Sequence, residues 1–183
     1  VLYGMYQAKN SIVKKEHCLL VEGYTDVISL HQSGIENVVA SSGTSLTIDQ
    51  IKLIKRFTKN ITLLFDGDTA GIKAALRGVN LILQEGLNVK IVTFPDGEDP
   101  DSYAKKVSSE ELENYLYSEA KDFIEFKCSL LLDEAKNDPI KRAELIKDIS
   151  ATIGLIPDNV ARTVYAQSSS KILGVEEQKM HIK

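Results

Sequence analysis

The chain of 183 residues has no tryptophan, two cysteines, four prolines and two methionines. It also has no apolar run approaching the roughly 20 residues that a membrane-spanning helix needs. Cys18 and Cys128 form no CxxC pair and sit among apolar neighbours. That argues against a disulfide framework and a cysteine zinc site, and fits a reducing cytoplasm. Eleven glycines with four prolines are too few for a low-complexity chain. Positive charge is not in excess either, with 22 Lys and Arg against 26 Asp and Glu. Residues 1–107 are balanced, with 12 of each sign, and the deficit lies in residues 108–183. A duplex-binding module held by phosphate contacts is normally basic. These residues alone are therefore expected to bind nucleic acid poorly unless a bridging metal or basic surface from elsewhere adds the attraction. No initiating Met and no secretory leader open the chain, so it is expected to be an internal fragment; separately, it is expected to be a monomer with no membrane partner. There is no GxxxxGK[ST] loop, which excludes a P-loop nucleotidase. Counted from Asp66, the twelfth position is Arg77 rather than Glu, which excludes a calcium EF-hand.

What is present is 43% hydrophobic and 26% charged residues, enough for one core or one core with a small appendage. Strand and helix signals alternate through the first two-thirds. Apolar strands are predicted at 18–22, 37–40, 61–65 and 89–94. A short helix over 24–33 stops at Gly34, and the capping box Thr47/Gln50 opens a helix to about Thr58. Ile72, Ala75, Leu76, Val79, Ile82 and Leu83 form one face of a helix closed by Gly86. Continuously apolar strands separated by helices predict an α/β fold with a parallel sheet covered on both faces. Beyond residue 107 no strand is predicted. The capping box Ser108/Glu111, the pair Asp138-Pro139, and Gly154 and Pro157 punctuate a small helical subdomain over 108–183, and residues 1–16 form a leading helical segment.

The acids fall where strands end. Glu22 closes the first strand, Asp66-Gly67-Asp68 the third, and Glu98-Asp99-Pro100-Asp101 follows the fourth after the turn Pro95-Asp96-Gly97. Ligands of open parallel sheets bind outside the carboxyl ends of strands, so these stretches are expected to meet on one rim, with Asp26 one helical turn behind Glu22. Two carboxylates about 4 Å apart repel by about 4 kcal/mol at an effective dielectric of 20. Protonation or a cation must offset that, and all-oxygen ligands without His or Cys favour Mg²⁺ or Mn²⁺. Gly23 and Gly67 allow sharp turns after their strands. Gly71, in a first helical turn where Gly costs about 1 kcal/mol against Ala, implies a close approach to that helix start. Lys73 and Arg77 contact phosphate or are solvated. Gly43-Thr44-Ser45 cradles a phosphate or simply leads into the Thr47 cap. Tyr24 faces a substrate or the core. His17, His31 and His181 are scattered. Tyr115, Phe123, Phe126 and Tyr165 are expected to pack rather than stack on bases.

Val21-Glu22-Gly23-Tyr24-Thr25-Asp26, Phe65-Asp66-Gly67-Asp68-Thr69-Ala70-Gly71 and Asp96-Gly97-Glu98-Asp99-Pro100-Asp101 resemble the three acidic signatures of the TOPRIM domain. Glu-Gly-x-x-Asp and Asp-x-Asp alone are shared with topoisomerases and some nucleases. The Tyr after Glu-Gly, the Glu-Asp-Pro-Asp block, Leu2-Tyr3-Gly4 and Ala40-Ser41-Ser42-Gly43-Thr44-Ser45 resemble the DnaG-type bacterial primases in particular. The resemblance covers residues 1–107 and reaches the helical remainder only by position. It implies a TOPRIM, Rossmann-like sheet and synthesis of short RNA primers on single-stranded DNA from ribonucleoside triphosphates, through an RNA–DNA hybrid. Glu22, Asp66 and Asp68 would be catalytic. Glu22, Asp66, Asp68, Asp99 and Asp101 would hold Mg²⁺ or Mn²⁺, with Glu22 a ligand or a general acid/base. Asp26, Gly23, Gly67 and Lys73 would support them. Family members often carry a basic residue at the position of Thr69. The family's zinc-binding domain and its helicase-binding domain are expected to lie outside these residues, in a cytoplasmic, replisome-associated parent, and the isolated chain is expected to make little or no primer. The rivals are another TOPRIM enzyme, an aspartyl phosphohydrolase of the Asp-x-Asp-x-Thr kind, and a non-catalytic module whose acids merely cap helices.

Overall fold

Four apolar stretches pair as parallel strands: β1 (Cys18–Val21), β2 (Val38–Ala40), β3 (Asn60–Phe65) and β4 (Asn88–Thr93). In register, Leu20 lies beside Val39 and Leu63, and Leu63 beside Ile91. The computed structural model describes residues 1–43, 45–95, 97–135 and 137–180, apart from the side chains of 132–134. Thr44, Asp96 and His181, singled out above, lie outside the described residues.

Helices alternate with the strands: α1 (Met5–Lys15), α2 (Tyr24–Gln32), α3 (Ile48–Lys55), α4 (Thr69–Gln84), α5 (Pro100–Lys106) and α6 (Ser109–Ser118). A fifth strand, β5 (Lys121–Asp122), corrects the expectation that strands end before residue 107. It runs antiparallel to β4, so the sheet is mixed, in the order β2-β1-β3-β4-β5. Two polar residues carry no periodic signal, and only the open edge of β4 makes them a strand. Asp122 then accepts the N–H groups of Ile124 (2.8 Å) and Glu125 (2.9 Å) and starts α7 (Phe123–Ala135). The chain continues through α8 (Pro139–Gly154), α9 (Asn159–Leu173) and a 3₁₀ turn, Glu177–Met180.

Alternate strand residues serve opposite faces, as the period of two requires. Leu20, Leu63, Phe65 and Ile91 pack under α1, α3 and α4. Leu19, Val21, Leu64 and Val92 pack under α2, α5 and α6. The first of these cores runs on without a break through Phe123, Leu145, Ile149, Ile153, Leu173 and Met180. The helical segment thus shares the sheet's core across the division at residue 107. Within it, the buried Lys127 ties α7 to α8 by donating to Asp148 Oδ2 (2.7 Å) and Thr152 Oγ1 (2.5 Å).

The local signals act as their chemistry dictates. The Thr47 hydroxyl accepts the Gln50 N–H, and the Gln50 side chain accepts the Thr47 N–H. Ser108 and Glu111 form the same box, and Asp138 caps α8. Gly34 and Gly86 adopt left-handed φ values of 87° and 73° where α2 and α4 end. At the amino end, Tyr3 makes an antiparallel bridge to Ala40, which sets its ring 5.9 Å from that of Tyr24. Tyr24 is exposed, and so is not a core residue. Tyr115 packs with Phe94 and Tyr103 and donates its hydroxyl to the Thr93 carbonyl (2.7 Å), while Phe123 is buried against Tyr165.

Candidate active site

The strand order reverses beside β1. The chain passes from β1 outward to β2, then crosses back to β3 on the other side. Such a switch point opens a crevice at the carboxyl ends of the two diverging strands. Glu22 follows β1 and Asp66 follows β3, so the two acids flank the crevice. Backbone bonds extend this end of the sheet: Ser41 N–H to Val21 O (3.2 Å), Ser42 N–H to Glu22 O (3.0 Å) and Phe94 N–H to Phe65 O (3.4 Å).

The carboxylates differ in what they already hold. Among the described residues, the side chains of Glu22 and Asp66 are engaged by no hydrogen bond or ion pair. Asp68 is the N-cap of α4, its Oδ1 accepting the Gly71 N–H at 2.7 Å. Asp99 caps α5, its Oδ1 accepting the Ser102 N–H at 2.6 Å. Asp101 is committed on both oxygens, to the Ser29 hydroxyl and to the Lys105 ammonium (2.7 Å for the latter). Glu98 bonds Ser102 and Lys106. Asp26, buried in the first turn of α2, accepts the Gly23 N–H on Oδ2 (3.0 Å) and the Asp101 N–H on Oδ1 (3.2 Å). It thereby clamps the turn after β1 to the start of α5.

Electrostatics shows which acids share space. Burial raises the Glu22 carboxyl, and Asp66 and Asp68 raise it further, against the pull of Arg77. Burial also raises Asp66, with Asp99 and Asp68 adding to it. Asp101 is lowered by its bonds to Lys105 and Ser29. The structure therefore brings Glu22, Asp66, Asp68 and Asp99 into one field, joined by Asp26, and leaves Asp101 paired within α5. Among the described residues, no three His, Cys, Asp or Glu side chains already form an ion cage. The donor set nevertheless fits a hard divalent ion. It is all oxygen, two of its acids are unengaged, and burial, with like-charge crowding added, keeps them above the usual carboxylate range.

The glycines act by room rather than by turning. Gly23 has φ −99°, which any residue adopts, and a Cβ there would sit 3.0 Å from Asp26 Oδ2. A Cβ on Gly71 would lie 2.4 Å from the Asp66 carbonyl oxygen, so the close approach implied by sequence is that of the acidic turn itself. Lys73 is exposed on α4. Arg77, one turn on, lines a cavity of about 330 Å³ with Glu22, Ser41, Ser45 and Phe65. The sequence left Arg77 as a phosphate contact or a solvated charge. Its spacing from Ala74, Gly78 and Leu81, which line the same cavity, was the available signal.

Asp26 makes the centre pH-sensitive. Burial, together with Asp99 and Asp66, pushes it up to about 6 from an ordinary 3.8, against the pull of two backbone N–H groups. Between those values the native chain keeps a proton that the unfolded chain has lost. The stabilisation is complete below the unfolded value and is lost as pH rises through about 6. Asp26→Asn cannot titrate, so its urea-unfolding free energy is expected to fall less than that of wild type between about pH 4 and pH 7. Identical falls in the two proteins would refute the assignment.

Family models match two stretches: Toprim-like over residues 19–104, and the DnaB-helicase binding domain of primase over residues 124–178. The second corrects the expectation that a helicase-binding segment lies wholly outside these residues. The DNA primase of Staphylococcus aureus is 37% identical over 160 residues, which is 87% of this chain and 26% of that protein. The chain thus spans about a quarter of the length of the curated relatives it matches. The solved Aquifex aeolicus primase structure, comprising zinc-binding and RNA polymerase domains, superposes with a TM-score of 0.83 at 35% identity. The match covers 100% of this chain and 43% of that one. A DnaG primase catalytic domain bound to single-stranded DNA superposes with a TM-score of 0.80 at 33% identity, over 93% of this chain and 56% of that one.

Proposed function

Since this chain belongs to the DnaG-type bacterial primases, in their TOPRIM-containing part, we propose that it carries the metal centre with which its parent polymerises ribonucleotides into primers on single-stranded DNA. The observation that carries this is the meeting of Glu22, Asp66, Asp68 and Asp99 in one field at the switch point of the sheet. Membership of the family sets aside the aspartyl phosphohydrolase.

A divalent cation of the Mg²⁺ or Mn²⁺ type, when bound, supplies charge neutralisation for a triphosphate and for an attacking hydroxyl. Glu22 and Asp66 would hold it first, being unengaged. Asp68 and Asp99 would contribute the oxygens not bonded to their helix N–H groups. Glu22, pushed up by burial and by its acidic neighbours, would serve as a ligand or as the general acid/base. Asp101, bound on both oxygens, would serve with Asp26 to fix the relative position of the acidic turns. Net charge of −4 gives these residues little hold on a template, so the grip on DNA would come from the rest of the parent. The segment from α7 onward, matched by the helicase-binding model, would face a replicative helicase.

Cation binding is testable on this chain alone. At pH 7.5, Mn²⁺ at ten times its Kd is expected to stabilise the fold by about 1.4 kcal/mol, raising Tm by about 3 °C. The shift should shrink as pH falls through about 6, where Asp26 takes up a proton and the raised Glu22 and Asp66 compete less well for the cation, and vanish in Asp66→Asn. A shift unaffected by that substitution would place the cation elsewhere. Template-directed primer synthesis by the full-length parent, wild type against Asp66→Ala, is the deciding assay.

A further inference from the structure

At the end of the sheet remote from the acidic rim lies a larger cavity, of about 600 Å³. It exists because the helices on that face stop short. Under α5 and α6 the facing strand residues are apolar: Val92 on β4 and Leu64 on β3, both fully buried. Two and four residues earlier on the same strands and the same face stand Lys90 and Asn88, then Thr62 and Asn60. These four line the hollow. The last turn of α6, with Leu116 and Tyr117, forms one wall of the hollow, and Ile35 and Asn37 ahead of β2 contribute another part of the lining.

A sheet end that merely meets water would show mobile, exposed polar groups. Here the floor is built. Thr62 is 2% exposed and Asn37 is 4% exposed, though both are polar. Thr62 Oγ1 lies 2.7 Å from His17 Nε2, and Asn37 Nδ2 donates to the His17 carbonyl oxygen at 2.9 Å. The His17 ring is thus fixed in orientation. Burial, and after it the charge of Lys90, hold His17 below its ordinary range, so it is neutral at neutral pH. The Lys90 side chain has no ion pair or hydrogen bond among the described residues. Lys15, also in the lining, has only a long 3.8 Å contact to Glu113. Among the described residues, Glu113 is the only acid in the lining. The remaining surface is carbon: Leu19, Ile35, Ile61, Leu116 and the exposed ring of Tyr117.

A hollow of ligand size, mostly apolar, with a few fixed polar groups and two lysines against one glutamate in its lining, is the form small-molecule sites take. We propose that this cavity binds a small anion carrying a flat ring, of about nucleotide size, with the anionic group on Lys90 and Lys15 and the ring against Leu116 and Tyr117. It needs no metal, and it is independent of the primase centre at the opposite end of the strands.

The test uses this chain in EDTA, which silences any cation-dependent site. The probe is 8-anilinonaphthalene-1-sulfonate, read by fluorescence and compared with uncharged 1-anilinonaphthalene. Saturable 1:1 binding of the sulfonate is expected, at least tenfold tighter than that of the uncharged compound. Lys90→Glu should raise Kd about tenfold or more, and Lys90→Gln and Tyr117→Ala about threefold each. Both positions are exposed, so the fold should survive, as circular dichroism would verify. Asp66→Asn should leave Kd unchanged. Non-saturating fluorescence, equal affinity for the uncharged compound, or Kd values indifferent to both Lys90 variants would overturn the proposal. So would loss of binding in Asp66→Asn, which would place the probe at the acidic rim.

Discussion

Asp66→Ala in the full-length parent is expected to cut template-directed primer synthesis by about a thousandfold or more. Removing one well-placed electrostatic partner of a transition state typically costs 10²–10³ in rate, and Asp66 is central to the acidic field. It raises Glu22, and it is itself raised by Asp99 and Asp68. No hydrogen bond of its side chain is lost with it, so the stability of the fold should change little. The neighbouring Asp68 separates charge from architecture. Its Oδ1 caps α4, and Asn caps as well as Asp, so Asp68→Asn keeps the helix start and removes only the charge. Synthesis should fall steeply in both variants while unfolding free energies in urea stay within about 0.5 kcal/mol of wild type. Wild-type primer yields from Asp66→Ala would end the proposal that these acids form the catalytic centre.

Gly71→Ala should be the most damaging conservative change in the chain. In an ordinary helix the exchange stabilises by about 1 kcal/mol. Here the added carbon would meet the Asp66 carbonyl oxygen at 2.4 Å, and its next contacts are also Asp66 backbone atoms. Backbone cannot swing aside as a side chain can, so either α4 or the Asp66 turn must move. Overpacking of this kind costs about 1–3 kcal/mol, and displacement of a reacting group by about 1 Å can cost 10²-fold in rate. Stability and primer synthesis are therefore expected to fall together, unlike the pattern for Asp66→Ala. Gly78→Ala on the same helix is the comparison: its new carbon would meet the flexible tip of Leu63 at 3.2 Å, and a loss under about 1 kcal/mol is expected. Equal stability of the Gly71 and Gly78 variants would show that the turn yields at no cost.

Much of the fold could be read from residue order. The runs at 18–21 and 63–65 are apolar on both faces because helices cover both faces there, and such runs announce a buried strand without knowledge of the neighbours. The caps at Thr47, Ser108 and Asp138 were equally plain, because a cap is a contact between residues two or three apart. β5 was illegible because two polar residues become a strand only when another strand's edge is beside them. The continuity of the core past residue 107 was hidden for the same reason.

The sequence alone determined which residues of this protein carry charge at strand ends, and that a parallel sheet would bring those ends to one rim. Covalent spacing and side-chain period suffice for that. The tertiary structure decided how each acid is used. Asp101 is claimed on both oxygens by Ser29 and Lys105, from one helix away and one turn away, while Glu22, near Arg77, and Asp66 are left unengaged among the described residues. The Lys105 pair is local, but the Ser29 contact to Asp101, the Asp101 N–H on Asp26 and the water each acid loses on burial come from distant stretches of chain, and no local pattern encodes them.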